Sequence, residues 1–411
     1  MKLRSDCSSS HRLRFFWSLL WSSPIVGSAS AQDALSNLPV LPSGFYEAAA
    51  KIIGEQEETR IGDLDLGLNL RTLHDTNVTQ GSELGPRPRE SDFLVQPTLN
   101  AGYTIGPGSW EVGFTGSLGS IKYLETDDFD VTVYSAGLRG AYQTGKVTAS
   151  VSTGYSSNGG VNRLAGAFIE QKNFSTLARI NYRLSSKTST ELSWNQQSIE
   201  SETDGFADTS SSTINAAALW QATPLIKLGP GFRHGVRTGF QDAEFTVNGP
   251  LLRADYRLSG KVNLSSSIGL DFADSPSGEQ ELFNWRLGLT YRASALWGLT
   301  FGMIRDTQAT LITGGGFDQI SSYRLGYNRK IGPARLRLGV AYMDRDPQGS
   351  SGVALGFRDS SSLDYSASLG FPVFGDNVDL SLNFAWRDFT AAEEQLSWDG
   401  FQSGLSLAWR Y

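Results

Sequence analysis

The sequence predicts an all-β chain, a transmembrane antiparallel up-and-down β-barrel of about 18 strands, with roughly 16 to 20 as the range. Three observations lead there. Apolar and polar residues alternate from about residue 60 to the last tyrosine. The breaks in this alternation are short and long by turns. Aromatic residues gather beside the short breaks.

The alternation comes first. Leu64, Leu66, Leu68 and Leu70 share one phase against Asp65, Gly67, Asn69 and Arg71. Trp110, Val112 and Phe114 oppose Glu111, Gly113 and Thr115. The stretches Phe283 to Tyr291 and Val378 to Trp386 repeat the pattern. A strand sends successive side chains to opposite faces, so the pattern builds one apolar wall and one polar wall. Hydrophobic residues make up only 39% of the chain. That value suits a soluble protein, but only every second residue of a membrane barrel faces lipid.

The short breaks are Gly106-Pro107-Gly108, Thr144-Gly145-Lys146, Ser185-Ser186-Lys187 and Thr223-Pro224. They continue with Ser259-Gly260-Lys261, Ala293-Ser294-Ala295, Gly332-Pro333 and Gly375-Asp376. Such residues suit tight hairpin turns. They recur about every 35 to 40 residues, two membrane strands with their connections. Longer polar breaks fall between them, among them His74 to Ser91, Ser156 to Ala165, Ser198 to Ser212, Asp306 to Gly316 and Asp344 to Ser361. Short periplasmic turns alternating with long outer loops is the habit of outer-membrane barrels. The eight turns join sixteen strands, and one more strand stands at each end, near Asp63 to Leu73 and Phe401 to Tyr411. A phase slip near Gly249-Pro250 keeps the range open. Beside the turns, Tyr103, Tyr142, Tyr182, Trp220, Tyr291 and Trp409 read as a girdle at a membrane interface. Soluble sandwiches and propellers seldom combine so many ten-residue strands with aromatic ends.

The N-terminus carries Lys2, Arg4, Arg12 and Arg14, a short apolar run from Phe15 to Val26, and Ala29-Ser30-Ala31. This order predicts a secretory signal peptide over 1–31, cut before Gln32. The run is too short to anchor in a bilayer. Residues 32–59 do not alternate, and Gly44 to Glu58 suits one short helix, a periplasmic appendage. The barrel then occupies 60–411.

Composition excludes several functions. Removing the leader's four basic residues and Asp6 takes the formal charge from -7 to about -10, which argues against nucleic acid as a partner. The only cysteine, Cys7, lies in the leader, so disulfides and cysteine metal sites are not expected. His74 and His234 belong to no catalytic or metal-ligand set, so neither an enzyme nor a metal or other cofactor is expected. The acidic stretches Glu125 to Asp128, Glu200 to Asp204 and Glu393-Glu394 read as solvated rim loops.

The polar phase lines the interior. Thr148, Ser150, Ser152, Ser193, Asn195, Ser265 and Ser267 leave room for water. About 18 strands enclose an aqueous channel unless loops or the N-terminus plug it. Arginines recur on this phase. Arg139, Arg179, Arg183 and Arg237 come first, then Arg253, Arg257, Arg286 and Arg292. Arg324, Arg335, Arg337, Arg387 and Arg410 complete the series. Rings of arginine favour anions. The competing and preferred reading pairs them with Asp65, Glu111, Glu191, Asp255, Asp271 and Asp379.

Two resemblances follow. Phe401, Leu405, Leu407, Trp409 and Tyr411 share one face. This last strand resembles the signal read by the β-barrel assembly machinery, on Trp409 and Tyr411, which implies that machinery as a partner beside outer-membrane lipid and lipopolysaccharide. The first strand, Leu64 to Leu73, runs into Asp75-Thr76-Asn77-Val78 and, after a polar stretch, Ser91-Asp92-Phe93. This resembles the opening of the outer-membrane β-barrel porin 2 family. The resemblance implies an outer-membrane barrel, and several members lie near exopolysaccharide export genes. Three functions stay open: a porin-like channel for small polar or anionic solutes, a component of exopolysaccharide export, and a non-conducting structural or adhesive barrel. Mass spectrometry of protein extracted from outer membranes should give an N-terminus at Gln32; an intact Met1 would remove the leader reading.

Overall fold

The computed structural model describes residues 63–411 except 83–87, 107, 163–166, 204–205, 207, 240–243, 276–277, 310–316, 349–358 and 376. The expected leader and the helix-bearing segment 32–59 lie outside the described residues. Eighteen strands form one sheet. They are β1 (Asp63–Asp75), β2 (Asp92–Ile105), β3 (Trp110–Tyr123), β4 (Val131–Gln143), β5 (Val147–Asn162) and β6 (Ala167–Arg183). Next come β7 (Thr188–Ser201), β8 (Thr209–Gln221), β9 (Ile226–Thr238), β10 (Glu244–Ser259), β11 (Val262–Ser275) and β12 (Gly278–Arg292). The last are β13 (Trp297–Ala309), β14 (Phe317–Ile331), β15 (Ala334–Gln348), β16 (Ser360–Pro372), β17 (Val378–Ala391) and β18 (Trp398–Arg410).

Every strand pairs antiparallel with the next. β1 also pairs with β18, from Gly67 opposite Arg410 to Asp75 opposite Gln402, and this seam closes the barrel. The Tyr411 N–H extends the seam by donating to the Leu66 carbonyl. All eight tight turns sit where the sequence put them. Gly108, Gly332 and Gly375 turn the chain there with positive φ, which glycine adopts without a Cβ penalty.

The outer wall is apolar. Leu64, Leu99, Leu118 and Leu252 each leave more than half their surface uncovered. A soluble monomer does not carry an apolar surface that runs round the whole molecule, so the neighbour of this wall is lipid. Two aromatic girdles bound it. Trp110, Tyr142, Trp220 and Tyr291 mark the turn side and are exposed or nearly so. On the loop side the ring centroids of Tyr134 and Tyr155 lie 6.1 Å apart, those of Trp285 and Tyr323 5.8 Å, and those of Tyr365 and Trp386 5.6 Å. Six to eight tilted residues separate the girdles, as between Tyr134 and Tyr142 or Trp285 and Tyr291, a band on the order of 20 Å tall.

Two sequence expectations are corrected. Much of what read as long loops is strand: Ser156 to Asn162, Ser198 to Ser201, Asp306 to Ala309 and Asp344 to Gln348 all extend the sheet. Above the outer girdle both faces of a strand are wet or packed on other protein, so the alternation that marks strands in lipid fades. The phase slip near Gly249-Pro250 is absent. Asn248 opposite Phe272 and Leu251 opposite Gly269 keep one register across Pro250, and the shift lies between Arg257 and Ser259.

Close backbone approach explains the glycines of this region. A Cβ on Gly229 would stand 1.8 Å from the Ala218 carbonyl oxygen, and one on Gly249 would stand 1.9 Å from that of Leu270. Either contact forces the neighbouring strand to move. Gly302 has nothing within 4 Å of such a Cβ. Gly229→Ala and Gly249→Ala are expected to lower the temperature at which the compact, heat-modifiable gel band disappears, by the equivalent of about 1–3 kcal/mol. Gly302→Ala should leave it within error. Equal behaviour of all three would contradict this packing.

Candidate functional site

The inward phase carries the charges. Arg139 pairs with Glu111 at 2.9 Å. Glu191 on β7 receives Arg253 at 2.6 Å and Arg179 at 3.7 Å, and Asp255 lies 3.6 Å from Arg253. Arg410 reaches Asp379 at 3.3 Å. Each of these carboxylates stands on the inward phase of its own or a nearby strand. Arg183, Arg257 and Arg292 occupy the turn-side ends of their strands and are exposed; Arg335 is half-buried beside its turn. Arg324 and Arg337 lie on the same phase of β14 and β15.

One hairpin leaves the wall. β12 and β13 pair only from Arg292 opposite Gly298 to Trp285 opposite Arg305. Above that point both strands continue, β12 with β11 and β13 with β14. The upper part of β13 turns into the barrel and comes against β9, four strands away in the wall. Asp318, Gln319, Ile320, Ser321 and Ser322 on β14 are buried in succession, so both faces of the hairpin are covered. Three devices hold it. Asp306 accepts from Arg233, lies 3.4 Å from Arg237 and 3.9 Å from Arg286. Arg345 on β15 binds Asp318 at 2.6 Å. The Thr307 N–H, freed from the ladder, donates to the Asp306 carboxylate at 2.8 Å.

Asp271 on β11 completes the cluster, 3.4 Å from Arg233. Three arginines thus face two carboxylates. Beside this cluster an open cleft runs along the inner faces of β7 and β8. Asn195, Thr213 and Asn215 line it together with Arg233, Arg237 and Arg286. Arg237 is buried, yet its Nε and Nη1 have no hydrogen-bond partner among the described residues. Its guanidinium sits 5.9 Å from the Phe245 ring centroid.

A second device narrows the loop-side mouth. After β1 the chain tucks inward, and Asn77 to Gly81 are all buried. Asp75 accepts from Arg387 at 2.7 Å and Gln402 at 2.5 Å. Asn77 donates to the carbonyls of Gly81 and Asp399 and accepts from the Gly81 N–H. Gln80, with φ 51°, reaches the Val161 carbonyl on β5 at 2.9 Å. The Asp-x-Asn-apolar step noted in the sequence is therefore the root of a segment that tucks in over the mouth as far as β5. The next loop is pinned separately. Asp92 accepts from Glu125 and Thr126, and Lys122 with the Tyr123 N–H holds the Asp130 carboxyl below its usual range.

Sequence reasoning named Arg237, Arg286 and Arg387 but missed Arg71, Arg233 and Arg345, and it read Asp306 as the start of a loop. Strand phase would have placed Arg233, because His234 beside it faces outward against Asn248. Nothing local signals that β13 leaves the wall.

No protein-family model matches the chain, and no curated protein matches it. Among solved structures it is similar to the siderophore receptor PirA from Pseudomonas aeruginosa, at 9% identity over 87% of this chain and 81% of that one, with a TM-score of 0.43. It is also similar to OccAB4 from Acinetobacter baumannii, at 12% over 87% and 100%, TM-score 0.44. OpdK from Pseudomonas aeruginosa, solved with vanillate, gives 12% over 85% and 98%, TM-score 0.42. Likenesses this distant say nothing of what this barrel handles.

Removing the hairpin's central carboxylate strands buried cations against one another. Asp306→Asn is expected to cost about 3–5 kcal/mol of hairpin docking. Single-channel conductance of the refolded protein should rise accordingly; an unchanged conductance would mean that the hairpin does not obstruct the lumen.

Proposed function

We propose that this chain is an outer-membrane channel for small polar solutes, with a preference for anions set at the cleft of Arg233, Arg237 and Arg286. The observation that carries the reading is Arg237: a buried guanidinium, short of partners, beside an otherwise polar cleft. Such a group gains most from a carboxylate, phosphate or sulfate oxygen supplied by a solute. The charge there is local, because the chain as a whole is at -7. Inward arginines outnumber inward carboxylates along the strands, while acidic residues crowd the loops.

The apolar outer wall and its two girdles support the membrane location. An 18-strand circumference supports the aqueous lumen. The tucked first loop and the inward hairpin favour compact solutes over a polymer chain. That weighs against the exopolysaccharide alternative. Arg139, Arg179, Arg253 and Arg410 are paired with carboxylates elsewhere in the lumen, which puts the weight of the selectivity on the cleft.

Planar-bilayer recordings in a tenfold potassium chloride gradient test the reading. The wild type should show a reversal potential of anion-selective sign. In Arg237→Gln/Arg286→Gln the ratio of chloride to potassium permeability should fall several-fold. Cation selectivity in the wild type, or a sealed membrane, would defeat the proposal.

A further inference from the structure

Among the described residues, the β12–β13 ladder stops at Trp285 and Arg305, and the contacts that bridge the wall above them come from side chains. Gln319 on β14 donates to the Phe283 carbonyl at 3.1 Å, a carbonyl on the β12 edge that faces the absent ladder. Arg305 in turn donates to the Gln319 side-chain oxygen. Backbone ladders are continuous and cooperative, whereas this bridge is two side-chain contacts. The break lies level with the outer aromatic girdle, since Trp285 at its base stacks toward Tyr323.

Two more observations concern the inside. The arginine cleft is lined by Trp285 and Arg305, which belong to the outward phase of their strands. It therefore runs from the lumen to the break. Beside the break, the inward phase turns apolar: Phe245, Val247, Ala273 and Leu282 form a buried cluster on β10, β11 and β12. At mid-height that phase is mainly Ser, Thr, Asn, Gly and charged residues; a second apolar cluster, Leu73, Leu94, Ile121 and Val131, lies on β1 to β4, away from the break. A cationic cleft next to an apolar strip, both reaching one gap at the lipid interface, matches a molecule with an anionic head and an apolar tail.

We propose that the β12–β13 break is a lateral opening through which a single-chain anionic amphiphile passes between the outer leaflet and the arginine cleft. The head group meets Arg233 and Arg237. The tail lies along Leu282 and Phe245 and leaves past Trp285. The Gln319–Phe283 bridge is the closure. This site uses the same arginines as the proposed channel, but it does not require ion flow through the lumen.

The test uses the full refolded chain in lipid nanodiscs with dodecanoate carrying a terminal diazirine. After illumination, mass spectrometry should find adducts concentrated on Leu282, Phe245 and Trp285. Unlabelled dodecanoate should compete and acetate should not. Arg233→Gln/Arg237→Gln should lower the adduct yield at least tenfold. Gln319→Ala, which removes only the bridge, should raise it. Adducts spread evenly round the outer wall would overturn the proposal. So would equal competition by acetate, a yield unmoved in the arginine variant, or a yield unmoved in Gln319→Ala. Anion-selective conductance without these adducts would sink the opening alone. Adducts without conductance would sink the channel alone.

Discussion

A peptide group left without a partner in hydrocarbon costs several kcal/mol, and most of this architecture answers that single cost. The β1–β18 seam removes the two edges that eighteen strands would otherwise present. Tight turns, several of them built on glycine, keep each hairpin in register through the bilayer. Where strands rise above the outer girdle the constraint relaxes, and only there does the sheet depart from a plain cylinder. The β13–β14 hairpin departs furthest. Two groups freed by its departure are answered, the Thr307 N–H by Asp306 and the Phe283 carbonyl of β12 by Gln319.

Electrostatics inside the wall follow from burial. A guanidinium on the inward phase is screened by neighbours as much as by water, so many find a carboxylate, one strand away for Arg139 and three or four away for Arg253 and Arg233. Glu191 serves Arg179 and Arg253 together, and Asp306 serves Arg233, Arg237 and Arg286. This sharing leaves cations in excess. The excess is greatest where the hairpin crowds three arginines round Asp306, and that crowding makes the cleft distinct from the rest of the lumen.

The period-two pattern carried the fold almost whole, because lipid on one side enforces it residue by residue. Leu64 to Leu70 and Val378 to Trp386 could be read no other way. Turn chemistry supplied the strand count. The loop-side half was harder, since strands such as the upper part of β5 or β13 lie outside lipid and lose the pattern. The turn-side girdle was visible beside Gly and Pro; the loop-side girdle had no such marker. Of the site, arginine phase was legible and their pairing partly so. That Asp306 would be the hub was not, because it depends on a hairpin turning inward to meet a strand more than sixty residues earlier in the chain.

The root of the first loop holds its place through partners made last. Asp75 is fixed by Arg387 and Gln402, Thr76 exchanges hydrogen bonds with Phe401, and Arg89 meets Asp399. During synthesis the cap over the entrance is thus drafted early and left untied. Gln80 can reach β5 earlier, but the root of the cap is fastened when the final hairpin arrives to close the ring. The entrance is in this way narrowed by the same event that finishes the cylinder, so an incomplete ring keeps an unfastened cap.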